Sequence, residues 1–182
     1  MFPQLPATAT GWPRLAPRAR FLLVAAGLYL AWLVGYEGFI GPEGHFDALL
    51  SVNIAAASAR LLRLLGFAAG HAAGTTLLTM DGLPAVYVGA PCDGLVLYAL
   101  FAGFIIAFPG PTRPKLWFVP MGIAALYLLN IGRVAALALN HHYAHRSVDF
   151  NHHYTFSFVV YAFICLLWML WVRQYGSPAA EA

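Results

Sequence analysis

Residues 116–139 read LWFVPMGIAALYLLNIGRVAALAL, and Arg133 is the one charged side chain in the run. A stretch of this kind meets the ~17–25 residues that a helix needs to cross ~30 Å of hydrocarbon. It assigns the chain to a membrane, and the composition agrees. Hydrophobic residues make up 61% of the 182 positions and charged residues 9%, where a soluble domain carries about 25% charged. The net charge of +3 is small and the Lys and Arg residues are scattered. The chain therefore lacks the basic patch of a nucleic-acid binder, and no nucleic-acid partner is expected.

Working outward, three further runs can span: Phe21 to about Tyr36, Cys92 to Phe108, and Tyr154 to Val172. The run from Phe21 follows Arg14, Arg18 and Arg20, in the manner of a signal peptide. The residues after it, Gly35-Tyr36-Glu37-Gly38-Phe39, offer no small-x-small cleavage site, so it reads as a retained signal anchor. Between the first and second spans, Phe46, Leu50, Ile54, Ala57, Leu61, Leu64 and Ala68 recur in steps of three and four. That stripe predicts an amphipathic helix lying in the membrane interface. Asp81-Gly82, flanked by Thr75–Thr79 and Val86–Val88, predicts a small β-hairpin. The expected fold is an all-α integral membrane protein. It has about four transmembrane helices, an outer interfacial helix and a small hairpin.

Positive charge sets the orientation. Arg14, Arg18 and Arg20 precede the first span, Arg113 and Lys115 lie between the second and third, and Arg173 follows the fourth. With four spans these sites share the cytoplasmic side. Glu37, Glu43, Asp47, Asp81, Asp93 and Asp149 then fall on the outer side. Trp117, Trp168 and Trp171 fit an aromatic belt at the inner surface. Tyr98, Phe101, Phe104 and Phe108 read as helix packing or lipid contacts.

In this topology Cys92 sits at the outer end of the second span. Arg133 lies eighteen residues past Lys115, about 27 Å up the third helix. His152 and His153 open the fourth span from the outside. A thiolate is the nucleophile of cysteine catalysis, and a helix start favours it. An imidazole can take the thiol proton and return it to a leaving amine. A guanidinium supplies fixed donors for an oxyanion or a substrate carboxylate, and an arginine inside an apolar helix is functional by default. Asn130, one turn before Arg133, faces the same way. Asp93 reads as a cap of the second span. A second reading stays open: His141, His142, His145, His152 and His153 form an outer cluster that could bind a metal or haem. On that reading the protein is a non-enzymatic or accessory membrane protein. The remaining cysteine, Cys165, lies inside an apolar run and reads as a core or lipid-facing residue.

Cys92-Asp93-Gly94-Leu95, Asn130-x-x-Arg133 and His153 before a last hydrophobic helix together resemble the exosortase/archaeosortase family, in its short form. The resemblance covers roughly residues 85 to 173. It implies a membrane transpeptidase or cysteine protease acting on proteins with a C-terminal sorting tail: a motif, a transmembrane helix and a basic cluster. The product is passed to a lipid or glycan acceptor, or to water, and no cofactor is needed. Carried onto this chain, Cys92 is the nucleophile, Arg133 the stabiliser of the oxyanion or substrate, and His153 the acid/base, with His152 as the alternative. His153 is favoured because the small Ser157 follows it by four residues, where relatives often carry Gly. Many relatives have Ser or Ala where this chain has Asp93. The organisation expected is one domain over 1–182: a cytoplasmic N-terminus at 1–20, an extracytoplasmic insertion at 41–91 and catalytic helices at 92–173. The site is expected to face the outside of the inner (cytoplasmic) membrane.

Overall fold

The structure, a computed structural model, describes residues 16–144, 148 and 151–176; the side chains of residues 17, 152 and 153 lie outside the described part. Helix α1 (Pro17–Trp32) continues through wide turns over Leu33–Ile40 into the short α2 (Gly41–Glu43). Helix α3 (His45–Leu64) leads to β1 (Ala69–His71), β2 (Leu77–Met80) and β3 (Leu83–Tyr87). A 3-10 turn, Ala90–Cys92, precedes α4 (Leu95–Ala107), and then come α5 (Thr112–Tyr143) and α6 (Phe156–Tyr175). Wide turns over Asn151–Thr155 run directly into α6.

Among the described residues three segments are long and apolar enough to cross a membrane: Arg18–Glu43, Thr112–Tyr143 and Phe156–Tyr175. The second expected span became α4, which is apolar but only 13 residues long, about 20 Å. Asp93-Gly94 delays its start and Pro109 follows its end, which shortens the predicted run at both sides. Its last carbonyls are capped by Lys115, whose Nζ donates to the oxygens of Ile106 at 2.8 Å and Phe108 at 2.7 Å. Helix α5 has 32 residues, about 48 Å, so it outreaches a bilayer core. It tolerates Pro120 inside it, as buried membrane helices do.

Two cores flank α5. In the first, Tyr98, Phe101 and Ile105 of α4 pack with Leu126 of α5 and with Val160, Ile164 and Trp171 of α6. The helices α4 and α5 approach closely because Gly122 leaves room: a Cβ there would lie 2.2 Å from the Phe101 ring. Trp171 belongs to this core, with no exposed surface, and so is not part of the predicted aromatic belt. Trp117 is exposed and fits that belt. Trp168 stacks on Phe104 at 4.4 Å.

The second core joins α3 and the sheet to the far half of α5, through Ile54, Leu62, Leu78, Met80, Val134 and Ala138. Here the structure departs from the predicted stripe. The buried face of α3 is Asp47, Ser51, Ile54, Ala55, Ser58, Ala59 and Leu62, while Phe46 is 51% and Leu64 86% exposed. The predicted stripe is rotated from the buried face and shares Ile54 with it. Ala55, Ser58 and Ala59 let the partner helix approach, Ile54 and Leu62 fill the contact, and Phe46 and Leu64 turn outward. Ser58 donates to the carbonyl of Ile131 at 3.2 Å, and Tyr127 donates to Asn53. The contacts advance together along both chains, so α3 runs lengthwise beside α5, in the same direction, rather than as an isolated helix flat in the interface.

The hairpin forms as expected, about a two-residue turn in which Asp81 (φ 49°) and Gly82 (φ 76°) are both left-handed. That is the turn geometry matching strand twist. The sequence reading missed β1, which pairs antiparallel with β2 and makes the sheet three-stranded. Three residues containing Gly70 carry no alternation to detect.

Candidate active site

The 3-10 turn that ends at Cys92 is closed by the Cys92 N–H donating to the Gly89 carbonyl at 2.8 Å. Gly94 then takes φ +83°, and a Cβ there would meet the Tyr98 hydroxyl at 2.9 Å. Only glycine fits this corner comfortably. The Asp93 carboxylate accepts the Leu95 N–H at 2.8 Å through Oδ1, which makes it the predicted cap of α4. Cys92 is thus held three residues before an apolar helix, on a partly exposed turn.

Helix α5 fastens this turn from the side. Asn130 donates from Nδ2 to the Cys92 carbonyl at 2.9 Å, and it is almost fully buried. Arg133 lies one turn further along the same helix, ~4.5 Å in axial rise. Among the described residues its Nε is buried without a hydrogen-bond partner, so the guanidinium keeps at least one donor direction for another acceptor. The structure therefore sets the Cys92 backbone against Asn130, one turn before Arg133 on α5. Asn130, expected from the sequence only to share a face with Arg133, grips the cysteine's backbone.

The fourth span reaches the same end of α5. Asn151 donates to the Asn140 side chain at 3.4 Å and accepts from Thr155 at 3.0 Å. Asn140 lies two turns beyond Arg133 on the same face. The backbone of His152 and His153 follows Asn151 directly, within the wide turns before α6. The side chains of both histidines lie outside the described residues, as do His145 and Asp149. Of the outer histidine cluster, His142 is described: its Nε2 pairs with Asp81 at 3.1 Å, which ties the end of α5 to the hairpin turn. Among the described residues no group of three or more His, Cys, Asp or Glu could hold a metal ion. Cys165 is exposed on α6, in keeping with a lipid-facing residue.

Three residues next to the site escaped the sequence reading. Tyr98 donates to the Asp93 carbonyl at 3.3 Å. Asp47, in the first turn of α3, accepts from Tyr36 at 2.5 Å, and its carboxyl is within hydrogen-bonding reach of Asp93. Asp47 and Asp93 stand 46 positions apart in the chain, so no local pattern could pair them. Burial pushes the Asp93 carboxyl up to about 6; the Leu95 N–H works against this, and contact with Asp47 and its charge add to it.

Below the site, an apolar groove of about 800 Å³ opens between the first helix and α4. Phe21, Leu28 and Trp32 line one side, and Leu95, Leu100 and Phe104 the other. It extends from the level of the α4 C-terminus to Leu95, three residues past Cys92.

Compared with known families, residues 8–170 match the family described as transmembrane exosortase. No curated protein and no solved structure matches the chain.

Proposed function

The chain belongs to the transmembrane exosortase family, and from that premise we propose that it is a cysteine-dependent processing enzyme for membrane-tethered protein tails. Family membership supports a membrane transpeptidase or sorting role in general. The observation that carries the finer reading is the Asn130 clamp: the helix that bears Arg133 also holds the backbone of Cys92. Two chemically complementary groups are thereby set on one rigid element.

In the proposed reaction the Cys92 thiolate attacks the carbonyl carbon of the scissile peptide. The developing oxyanion is stabilised by Arg133. The C–N bond breaks, the leaving amine takes a proton from the imidazole of His153, and a thioester remains on Sγ. His152 is the alternative proton carrier. An amine-bearing lipid or glycan acceptor, or water, gives up a proton to the same imidazole and attacks the thioester. The free thiol is then restored. No cofactor takes part in these steps.

The substrates on this reading carry a C-terminal motif, a transmembrane helix and a basic cluster. The apolar groove beside α4 suits such a helix, because it ends next to the Cys92 turn and has an apolar lining throughout. The distribution of Arg and Lys supports an extracytoplasmic site in the cytoplasmic membrane.

The test is co-expression with a tail-bearing substrate. Wild-type enzyme converts it to a shorter or transferred form, and Cys92→Ala leaves it full length. Conversion by Cys92→Ala at the wild-type rate rejects the mechanism.

A further inference from the structure

Asp93 is 1% exposed and Asp47 8%, and each comes from a different element packed around Cys92. Their remaining bonds are accounted for. Tyr36 donates to Asp47 Oδ1, the Leu95 N–H donates to Asp93 Oδ1, and among the described residues Asp93 Oδ2 is buried with no hydrogen-bond donor. Ionised carboxylates only accept hydrogen bonds. Two of them in contact out of water leave an acceptor unsatisfied and like charges opposed, both of which are costly. A single O–H between them removes both penalties.

The surrounding groups offer no other remedy. Tyr36 and Glu37 lie on the wide turns after α1, and Tyr98 lies on α4. Tyr98 spends its hydroxyl on the Asp93 carbonyl. The Arg133 charge on α5 reaches Tyr98, yet among the described residues no cation is paired with either carboxyl.

We propose that Asp47 and Asp93 share one proton and act together as a positioning pair, locking the Cys92 turn against α3. Asn130 holds that turn from α5 and the acid pair holds it from α3. Loss of the proton leaves two buried carboxylates that repel, and the turn loosens. The pair touches no reacting atom; it acts through the place and mobility of Cys92. Its importance for catalysis rests on Cys92 being the nucleophile, but the pair itself can be tested without any substrate.

The first measurement is infrared difference spectroscopy of the purified full chain in detergent. A protonated-carboxyl band is expected well below the value of about 6 at which Asp93 titrates, and its loss well above it. Between the ordinary carboxylate range and about 6 the band is expected in the wild type, reduced in Asp47→Asn, where the burial of Asp93 persists, and lost in Asp93→Asn. Absence of the band from the wild type in that interval, or an unchanged band in either amide variant, overturns the proposal.

The second measurement is the rate at which a small neutral maleimide alkylates Cys92 in a Cys165→Ser background. Asp47→Asn keeps a donor between the two side chains and retains the wild-type rate at low pH, and above it follows the steady rise of the thiolate fraction without the added acceleration near pH 6 expected in the wild type. Asp47→Ala reacts several-fold faster at low pH. Equal rates for the Asn and Ala variants overturn the proposal. Should Asp47→Ala fail to fold, the pH profile of Asp47→Asn decides alone. Failure of tail processing with these two results intact would reject the enzymatic reading and leave the pair standing.

Discussion

At Cys92, one thiol acquires meaning from its two neighbours in space. Asn130 fixes its carbonyl, so the position of Sγ is tied to α5. Asn130→Ala removes a buried bond and leaves the Cys92 carbonyl unsatisfied, a loss of ~1–3 kcal/mol in stability. Thermal unfolding in detergent checks this. For Arg133, charge and fork geometry should separate: Arg133→Lys keeps the charge and loses the planar donors. Processing by Arg133→Lys is expected to fall at least tenfold, measured as the rate of substrate conversion at saturating enzyme. Wild-type conversion by this variant would assign Arg133 to general charge rather than to directed donation. Asp93 gives a signed prediction. Its carboxyl is raised from 3.8 to about 6, so the native state binds the proton more tightly than the unfolded chain. The stability this contributes is fully present below 3.8 and is lost as pH rises through about 6. A melting temperature that falls over this interval in wild type, and stays flat in Asp93→Asn, is the expected result.

Elements show where sequence was legible and where it was not. The runs that became α1, α5 and α6 were readable because bilayer thickness imposes a length on apolar segments. The hairpin was readable because Asp81-Gly82 is the chemistry of its turn. The proposed site residues Cys92, Asn130 and Arg133 stand out in the sequence because each residue type is expensive or reactive where it stands. Asp47 was not, since its partner Asp93 lies in another element and the pairing exists only after folding. The buried face of α3 is rotated from the predicted stripe for a physical reason: in a helix packed closely on another, small residues such as Ala55, Ser58 and Ala59 join Ile54 and Leu62 at the contact. The same principle governs α4 on α5 at Gly122. Gly122→Ala places a methyl against the Phe101 ring, and overpacking of this kind costs ~1–3 kcal/mol. The double variant Gly122→Ala with Phe101→Leu should recover part of that loss in thermal unfolding. No recovery would mean that the two helices do not meet there.

Over the whole molecule, α5 is the common axis. Its N-terminal half packs α4 and α6, and its C-terminal half packs α3 and the sheet. The Cys92 turn sits where these two cores meet, so the proposed chemistry lies at the border between them. An outward-facing site predicts that a membrane-impermeant thiol reagent added to intact cells labels Cys92 in a Cys165→Ser background. Labelling only after cells are opened would invert the topology. The central claim is that Cys92 carries the acyl group, and mass spectrometry of enzyme recovered with its co-expressed substrate tests it most directly. The account predicts a substrate-derived adduct on Cys92, released by hydroxylamine as a thioester is; substrate conversion with no such adduct, and undiminished in Cys92→Ala, would contradict it.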